Sequence, residues 1–270
     1  MFYYPFFIDN YTMHTREEKL KAFGRLLDIM DDLREKCPWD KKQTMESLRV
    51  LTIEETYELA DAIMDDDLEE VKNELGDILL HMVFYAKIGE EKEAFDIADV
   101  LHGISEKLIR RHPHIYSDTT VADENEVKEN WEQIKLKEKT NKGVLSGVPK
   151  SLPSLIQAIR IQEKAAGVGF DWDNKEQVYK KYLEEWGELK EEVHNKDVDK
   201  IEEEFGDVLF SLINYARFLN VNPDNALAKT NTKFKNRFNY IEAQAKLKGK
   251  AIHDLSIEEM NEFWNMAKEK

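Results

Sequence analysis

The sequence predicts an all-α protein in two related halves, on three observations. Its 270 residues include only 11 glycines and 6 prolines. Apolar residues recur at helical period over long stretches, while the alternation expected of strands is almost absent. A phrase from the first half, Asn73 to Leu80 (NELGDILL), returns in the second as Glu203 to Phe210 (EEFGDVLF).

The elements follow in order. Residues 1–15 open with an apolar stretch that is too short for a signal peptide or a span, lacks a basic leader and is interrupted by Pro5; they read as an extension, with Met13 an alternative start to Met1. Helical patterns then cover Arg16–Lys36, Thr44–Asp65, Leu68–Ile88, Ala94–Arg111 and Glu124–Lys139, which make a first module over 16–139. Residues 140–154 gather glycine, proline and serine and read as the connection between modules. The second module, 155–270, has helical patterns over Leu155–Gly167, Lys175–Asn195, Val198–Leu219, Pro223–Lys248 and Ser256–Lys268.

Composition limits the function. The 55 acids against 39 Lys and Arg leave a formal charge of -16, a field that disfavours nucleic acid and anionic membranes as partners. Cys37 is the only cysteine, so neither an intrachain disulfide nor a cysteine zinc cluster exists, which fits the cytoplasm.

The repeat carries chemistry. Glu55, Glu58, Glu74 and Asp77 follow the pattern ExxE, fifteen residues, ExxD, and Glu185, Glu188, Glu204 and Asp207 repeat it with the same gap. Residues three apart share a helix face, so each pair forms one acidic edge. The midpoint of both spacings is Asp66 in the first half and Lys196 in the second, each in a polar stretch. Antiparallel helices folding back about those points bring the inner carboxylates level, each roughly 12 Å from its turn.

Asp77 and Asp207 lead into apolar runs, ILLHMVFYA and VLFSLINYARFL, that belong inside a bundle. Gly76 and Gly206 suggest close approach of a backbone or a ligand. Four carboxylates in one space repel, and either protons or metal ions must compensate. An all-oxygen set suits a hard cation, Mg²⁺, with Mn²⁺ as substitute. A di-iron site wants Glu-x-x-His on two helices; the one such pair, Glu191 and His194, has no counterpart in the first half.

Cations stand nearby. Lys233 and Arg237 are four apart, as are Lys107 and Arg111; Lys181 and Lys200 each precede an acid of the second cage by one turn, where the first half has Leu51 and Glu70. Cations beside a metal cage suit a polyphosphate, which makes the second site the catalytic candidate. Trp172, Trp186 and Trp264, with Trp39 and Trp131 in the first half, could supply a base-stacking surface; each reads first as core, and Trp264 is the stacking candidate. His112 and His114 read as a structural corner around Pro113.

Taken together, the duplicated boxes with CPWDKKQT, KLIRRHPHIY, WEQIKLKEK, KAAGVGFDW and NTKFKNRF resemble the MazG-type nucleoside triphosphate pyrophosphohydrolases from about Arg16 to the C-terminus. The resemblance implies tandem four-helix modules, a homodimer, and Mg²⁺-dependent hydrolysis of nucleoside triphosphates to monophosphate and pyrophosphate by the C-terminal module, in nucleotide-pool house-cleaning or alarmone turnover. It also implies metal ligation by Glu185, Glu188, Glu204 and Asp207, nucleotide contacts by Lys181, Lys200, Glu203, Lys233, Arg237 and Trp264, and metal binding at Glu55, Glu58, Glu74 and Asp77. In the mechanism expected, Glu185 or Glu188 accepts the proton of the attacking water while Lys233 and Arg237 take the charge of the leaving pyrophosphate. The alternative is a nucleotide-sensing module without turnover.

Overall fold

Helix termini are set by local hydrogen bonding, and this chain writes its caps explicitly. Thr15, Thr44, Asp96 and Ser256 each form a reciprocal capping box at the start of a helix. In the computed structural model the described residues are 13–117, 120, 121, 123, 126, 127, 130, 131, 134, 138 and 143–269. Most of the extension, most of the helix expected over 124–139 and the start of the connecting segment lie outside them. Among the described residues there is no strand, and the fold is all-α.

The chain divides into two compact units, Met1–Asp118 and Thr119–Lys270. The first contains α1 (Arg16–Lys36), α2 (Met45–Met64), α3 (Leu68–Glu91), α4 (Ile97–Arg111) and a single turn α5 (Pro113–Tyr116). Met30, Leu48, Val83, Phe84 and Ile88 form its buried centre, with Phe23, Leu26 and Leu80 packed against them. Burying such side chains stabilises by about 1.5–3 kcal/mol each. Arg34 closes the far end by donating to Glu91 Oε1 at 2.8 Å and to the carbonyls of Asp40 and Gln43.

The second unit contains α6 (Ser154–Ala166), α7 (Lys175–Asn195), α8 (Val198–Phe218), α9 (Pro223–Leu247) and α10 (Ile257–Met266). Here α7 and α8 form a long hairpin, α6 packs on α8, and α10 packs on α9 around Ile241, Ala245, Leu255 and Phe263.

The hairpins turn at the residues that the spacing picked out. Asp66 (φ 57) and Lys196 (φ 60) both adopt the left-handed conformation, costing roughly 1–2 kcal/mol for a residue other than glycine. The next residue caps the following helix in both cases: Asp67 Oδ1 accepts from the Glu69 and Glu70 amides at 3.1 Å, and Asp197 Oδ1 from the Lys200 amide at 3.3 Å. Of the two approaches expected at the glycines, that of a backbone does not occur among the described residues. A Cβ on Gly76 or Gly206 would meet nothing within 4 Å, so no described part of this chain closes on either.

Candidate active site

Each hairpin brings its acids together. In the second unit, carboxylate oxygens of Glu185, Glu188 and Glu204 all lie within 4.8 Å of one another, and in the first the same holds for Glu55, Glu58 and Glu74. Asp77 and Asp207 fall outside these tight sets but stay close enough to push the carboxyls of Glu74 and Glu204 upward. Burial is the larger cause of both shifts, followed by Glu58 for Glu74 and Glu188 for Glu204. Burial likewise raises Glu55, with Asp77 and Glu58 adding to it.

An orphaned oxygen tests whether a metal fits. Glu74 is 6% exposed, and its Oε2 is buried without a hydrogen-bond partner; Glu204 Oε2 is orphaned in the same way. Buried carboxylate oxygens are costly unless something supplies positive charge. The donor set is all oxygen, which fits a hard divalent cation such as Mg²⁺ or Mn²⁺; Glu185, Glu188 and Glu204 with Asp207 would hold it in one unit, and Glu55, Glu58 and Glu74 with Asp77 in the other.

The two sites differ in what surrounds the cage. Lys181 Nζ lies 2.9 Å from Glu185 Oε1 and 2.6 Å from Glu184 Oε1, and these carboxylates hold its ammonium well above the usual lysine range. Beside it opens a cavity of about 520 Å³ lined by Lys181, Glu185 and Asp207 at one side and by Gln162, Trp172 and Asn214 among others. Its walls are mostly apolar, with Phe170, Val178 and Phe210 contributing. Arg217 also lines it, forming a bidentate pair with Asp171 at 2.9 and 2.5 Å that ties the loop carrying Trp172 to α8.

The first unit has no equivalent lining. Leu51 stands at the register of Lys181, and Phe84, at the register of Asn214, is 2% exposed and belongs to the core. His81 occupies the register of Ser211, is buried with Nδ1 unpartnered, and is pushed below the usual histidine range by that burial. The concavity here, about 360 Å³, is lined by Glu58, Asp61, Ala62, Asp65, Asp67, Glu70 and Glu74, without a cation.

The other expected contacts have partners of their own or are exposed. Lys200 Nζ reaches Glu192 Oε1 at 3.4 Å, nearer the turn, and Glu203 is exposed. Arg237 lies over the Trp264 ring at 5.4 Å, and Phe234 packs on the same ring at 5.1 Å. Lys233 is exposed on the same helix. Among the described residues, no ion pair joins Lys233 or Arg237 to a carboxylate. His112 Nδ1 pairs with the Leu108 carbonyl at 2.7 Å, as a structural corner requires.

Gln162, Asn214 and Arg217 are not among the residues singled out from the sequence, and Trp172 is named there as a stacking residue that reads first as core. A signal was available: Asn214 interrupts an apolar run exactly where its repeat partner has Phe84.

Comparison with known proteins adds to this geometry. The family model described as the MazG nucleotide pyrophosphohydrolase domain matches residues 43–116 and again 174–241. The chain is 46% identical over 250 residues to the nucleoside triphosphate pyrophosphohydrolase/pyrophosphatase MazG of Thermotoga maritima, covering 91% of this chain and 95% of that one. It is 42% identical over 257 residues to the nucleoside triphosphate pyrophosphohydrolase of Escherichia coli strain K12, covering 92% and 98%. A solved MazG-related protein from Thermotoga maritima aligns with 42% of this chain and 98% of its own, at 26% identity and a TM-score of 0.38.

Proposed function

Because the chain belongs to the MazG family, with two copies of the family's domain, we propose that it hydrolyses nucleoside triphosphates to the monophosphate and pyrophosphate, with Mg²⁺ bound at the second unit. The observation that carries this reading is that Glu185 belongs to the acid cage and also lines the adjoining cavity, beside Lys181 and Asp207. A phosphate chain on the cage leaves room for its base in the cavity, with Lys181 at the boundary.

When bound at Glu185, Glu188, Glu204 and Asp207, Mg²⁺ supplies charge neutralisation for phosphate oxygens and lowers the pKa of a coordinated water. The chain's own residues do the rest. Glu188, exposed at the rim, or Glu185 accepts the proton of the attacking water. Lys181, already charged and fixed by Glu184 and Glu185, meets the phosphate nearest the nucleoside. Lys233 and Arg237, cations one turn apart on α9 without a carboxylate partner among the described residues, take the charge of the leaving pyrophosphate. Lys200 and Glu203, on α8 with Glu204, serve as further substrate contacts, and Trp264 stays a candidate stacking partner.

The first unit is proposed as a metal-binding module without turnover. Leu51, Glu70 and Phe84 occupy places where the second unit has Lys181, Lys200 and Asn214. The protein is further proposed to be a cytoplasmic homodimer acting in nucleotide-pool house-cleaning or alarmone turnover. The amphipathic α4 exposes Val100, Leu101, Ile104 and Leu108, an apolar face that suits a second copy. No helix among the described residues is long and apolar enough to cross a membrane.

The test is incubation with ATP and Mg²⁺, resolving products by phosphorus NMR. Equimolar AMP and pyrophosphate are expected. Orthophosphate as first product would replace this reading with an ordinary phosphatase, and binding without either product would leave a nucleotide sensor.

A further inference from the structure

The cavity beside the cage presents two side-chain amides whose orientation the fold fixes. Gln162 is 6% exposed, and its Nε2 donates to the Phe210 carbonyl at 2.8 Å. That commits Oε1 to be the free end, and Oε1 is buried with no partner. Asn214 is fixed by its other end: Oδ1 accepts from Arg217 Nε at 3.1 Å and Nη2 at 2.8 Å. Arg217 is in turn locked by Asp171, so the Asn214 amide keeps its N–H donors without an acceptor among the described residues. Rotating either amide by half a turn would set N–H against N–H or oxygen against oxygen, so both assignments follow from the partners.

Gln162 and Asn214 both line this mostly apolar cavity, one bringing a committed acceptor enclosed in its wall and the other a committed donor. An unmatched buried acceptor is unfavourable unless a ligand supplies the missing donor. A flat ring bearing a donor beside an acceptor fits this pair, and Trp172, 43% exposed at the cavity wall, offers it an aromatic face. We infer that Gln162 and Asn214 read the base of the bound nucleotide, Gln162 Oε1 accepting from a base N–H and Asn214 Nδ2 donating to a ring nitrogen or carbonyl. The inference rests on the reading of this site as a nucleoside triphosphate site.

The test compares kcat/KM for pyrophosphate release from ATP, from purine riboside triphosphate, which lacks the amino donor, and from 1-deazaadenosine triphosphate, which lacks the N1 acceptor. The unaltered protein is expected to disfavour each analogue roughly ten- to a hundredfold. Gln162→Met, similar in size but without the amide, should bring purine riboside triphosphate level with ATP and leave the 1-deaza penalty in place. Asn214→Asp keeps an oxygen for Arg217 and removes the N–H donors; it should erase the 1-deaza penalty alone. If Gln162→Met fails to fold, the Asn214→Asp ratio carries the test. Ratios unchanged in the folded variants, or equal use of all three by the unaltered protein, would overturn base reading while leaving pyrophosphate release intact. No pyrophosphate from any of them would overturn the nucleotide reading itself, and this inference with it.

Discussion

Lys181 Nζ stands 2.9 Å from Glu185 Oε1, one helical turn away on α7, so a fixed cation touches the very carboxylate that joins cage to cavity. In the first unit the same place belongs to Leu51. A charged group held at the edge of an acid cage costs no reorganisation when a phosphate arrives, and preorganised charge of this kind is worth a large factor in rate. Replacing Lys181 with Met is expected to lower kcat for pyrophosphate release by about 10²–10³, with the helical circular dichroism retained. Full activity in the variant would remove Lys181 from the chemistry.

The two cages are built from the same acids at the same register but differ in surroundings, so matched substitutions separate them. Glu188→Gln should cost about 10²–10⁴ in turnover, the usual worth of a positioned proton acceptor. Glu58→Gln, at the same register in the first unit, should keep most of it, because Phe84 fills the core where a base would enter. Steady-state pyrophosphate release by both variants decides; equal losses would mean that the units work as one site.

Much of this was legible in the sequence because it depends on local geometry. A pair of acids three apart declares a helix edge, and two equal gaps centred on Asp66 and Lys196 declare where each hairpin reverses; both residues are left-handed in the structure. The cavity was not legible for the opposite reason. Gln162, Trp172 and Asn214 come from three segments and share no period, and what fixes the loop is an ion pair between Asp171 and Arg217, 46 residues apart. Only the repeat could have exposed it, through the polar Asn214 set against Phe84. Trp264 drew attention for its polar flanks, and Phe234 and Arg237 pack against its half-buried ring.

Crowded acids also leave a mark on stability. The Glu204 carboxyl sits above its ordinary value of 4.5, burial being the first cause and Glu188 the next. A carboxyl with a raised pKa in the fold favours the protonated form, so its stabilising contribution is complete below the ordinary value and is lost as pH rises through the folded value. Without divalent ions, Glu204→Gln should therefore melt at a higher temperature than the unaltered protein at pH 7, with the gap closing toward pH 4. Added Mg²⁺ or Mn²⁺ should raise the melting temperature of the unaltered protein and do much less for the variant. Scanning calorimetry over pH, with and without metal, checks both signs; a variant that melts lower at pH 7 in the absence of metal contradicts the account.

The aromatic wall gives the last prediction. Trp172 lines the cavity that also contains Lys181 and Glu185, whereas Trp264 belongs to the α9 and α10 cluster. Stacking of a base on an aromatic side chain is worth about 1–3 kcal/mol, so Trp172→Ala should raise KM for ATP by roughly tenfold or more. Inorganic triphosphate has no base to stack, and its hydrolysis should be unchanged by the same substitution, which separates a lost contact from a damaged fold. Asp171→Asn should give a smaller effect in the same direction, because it releases Arg217 and loosens the loop without removing the ring. If Trp264→Ala instead produces the larger rise for ATP and Trp172→Ala none, the base stacks at α10 and the cavity beside α6 has another occupant.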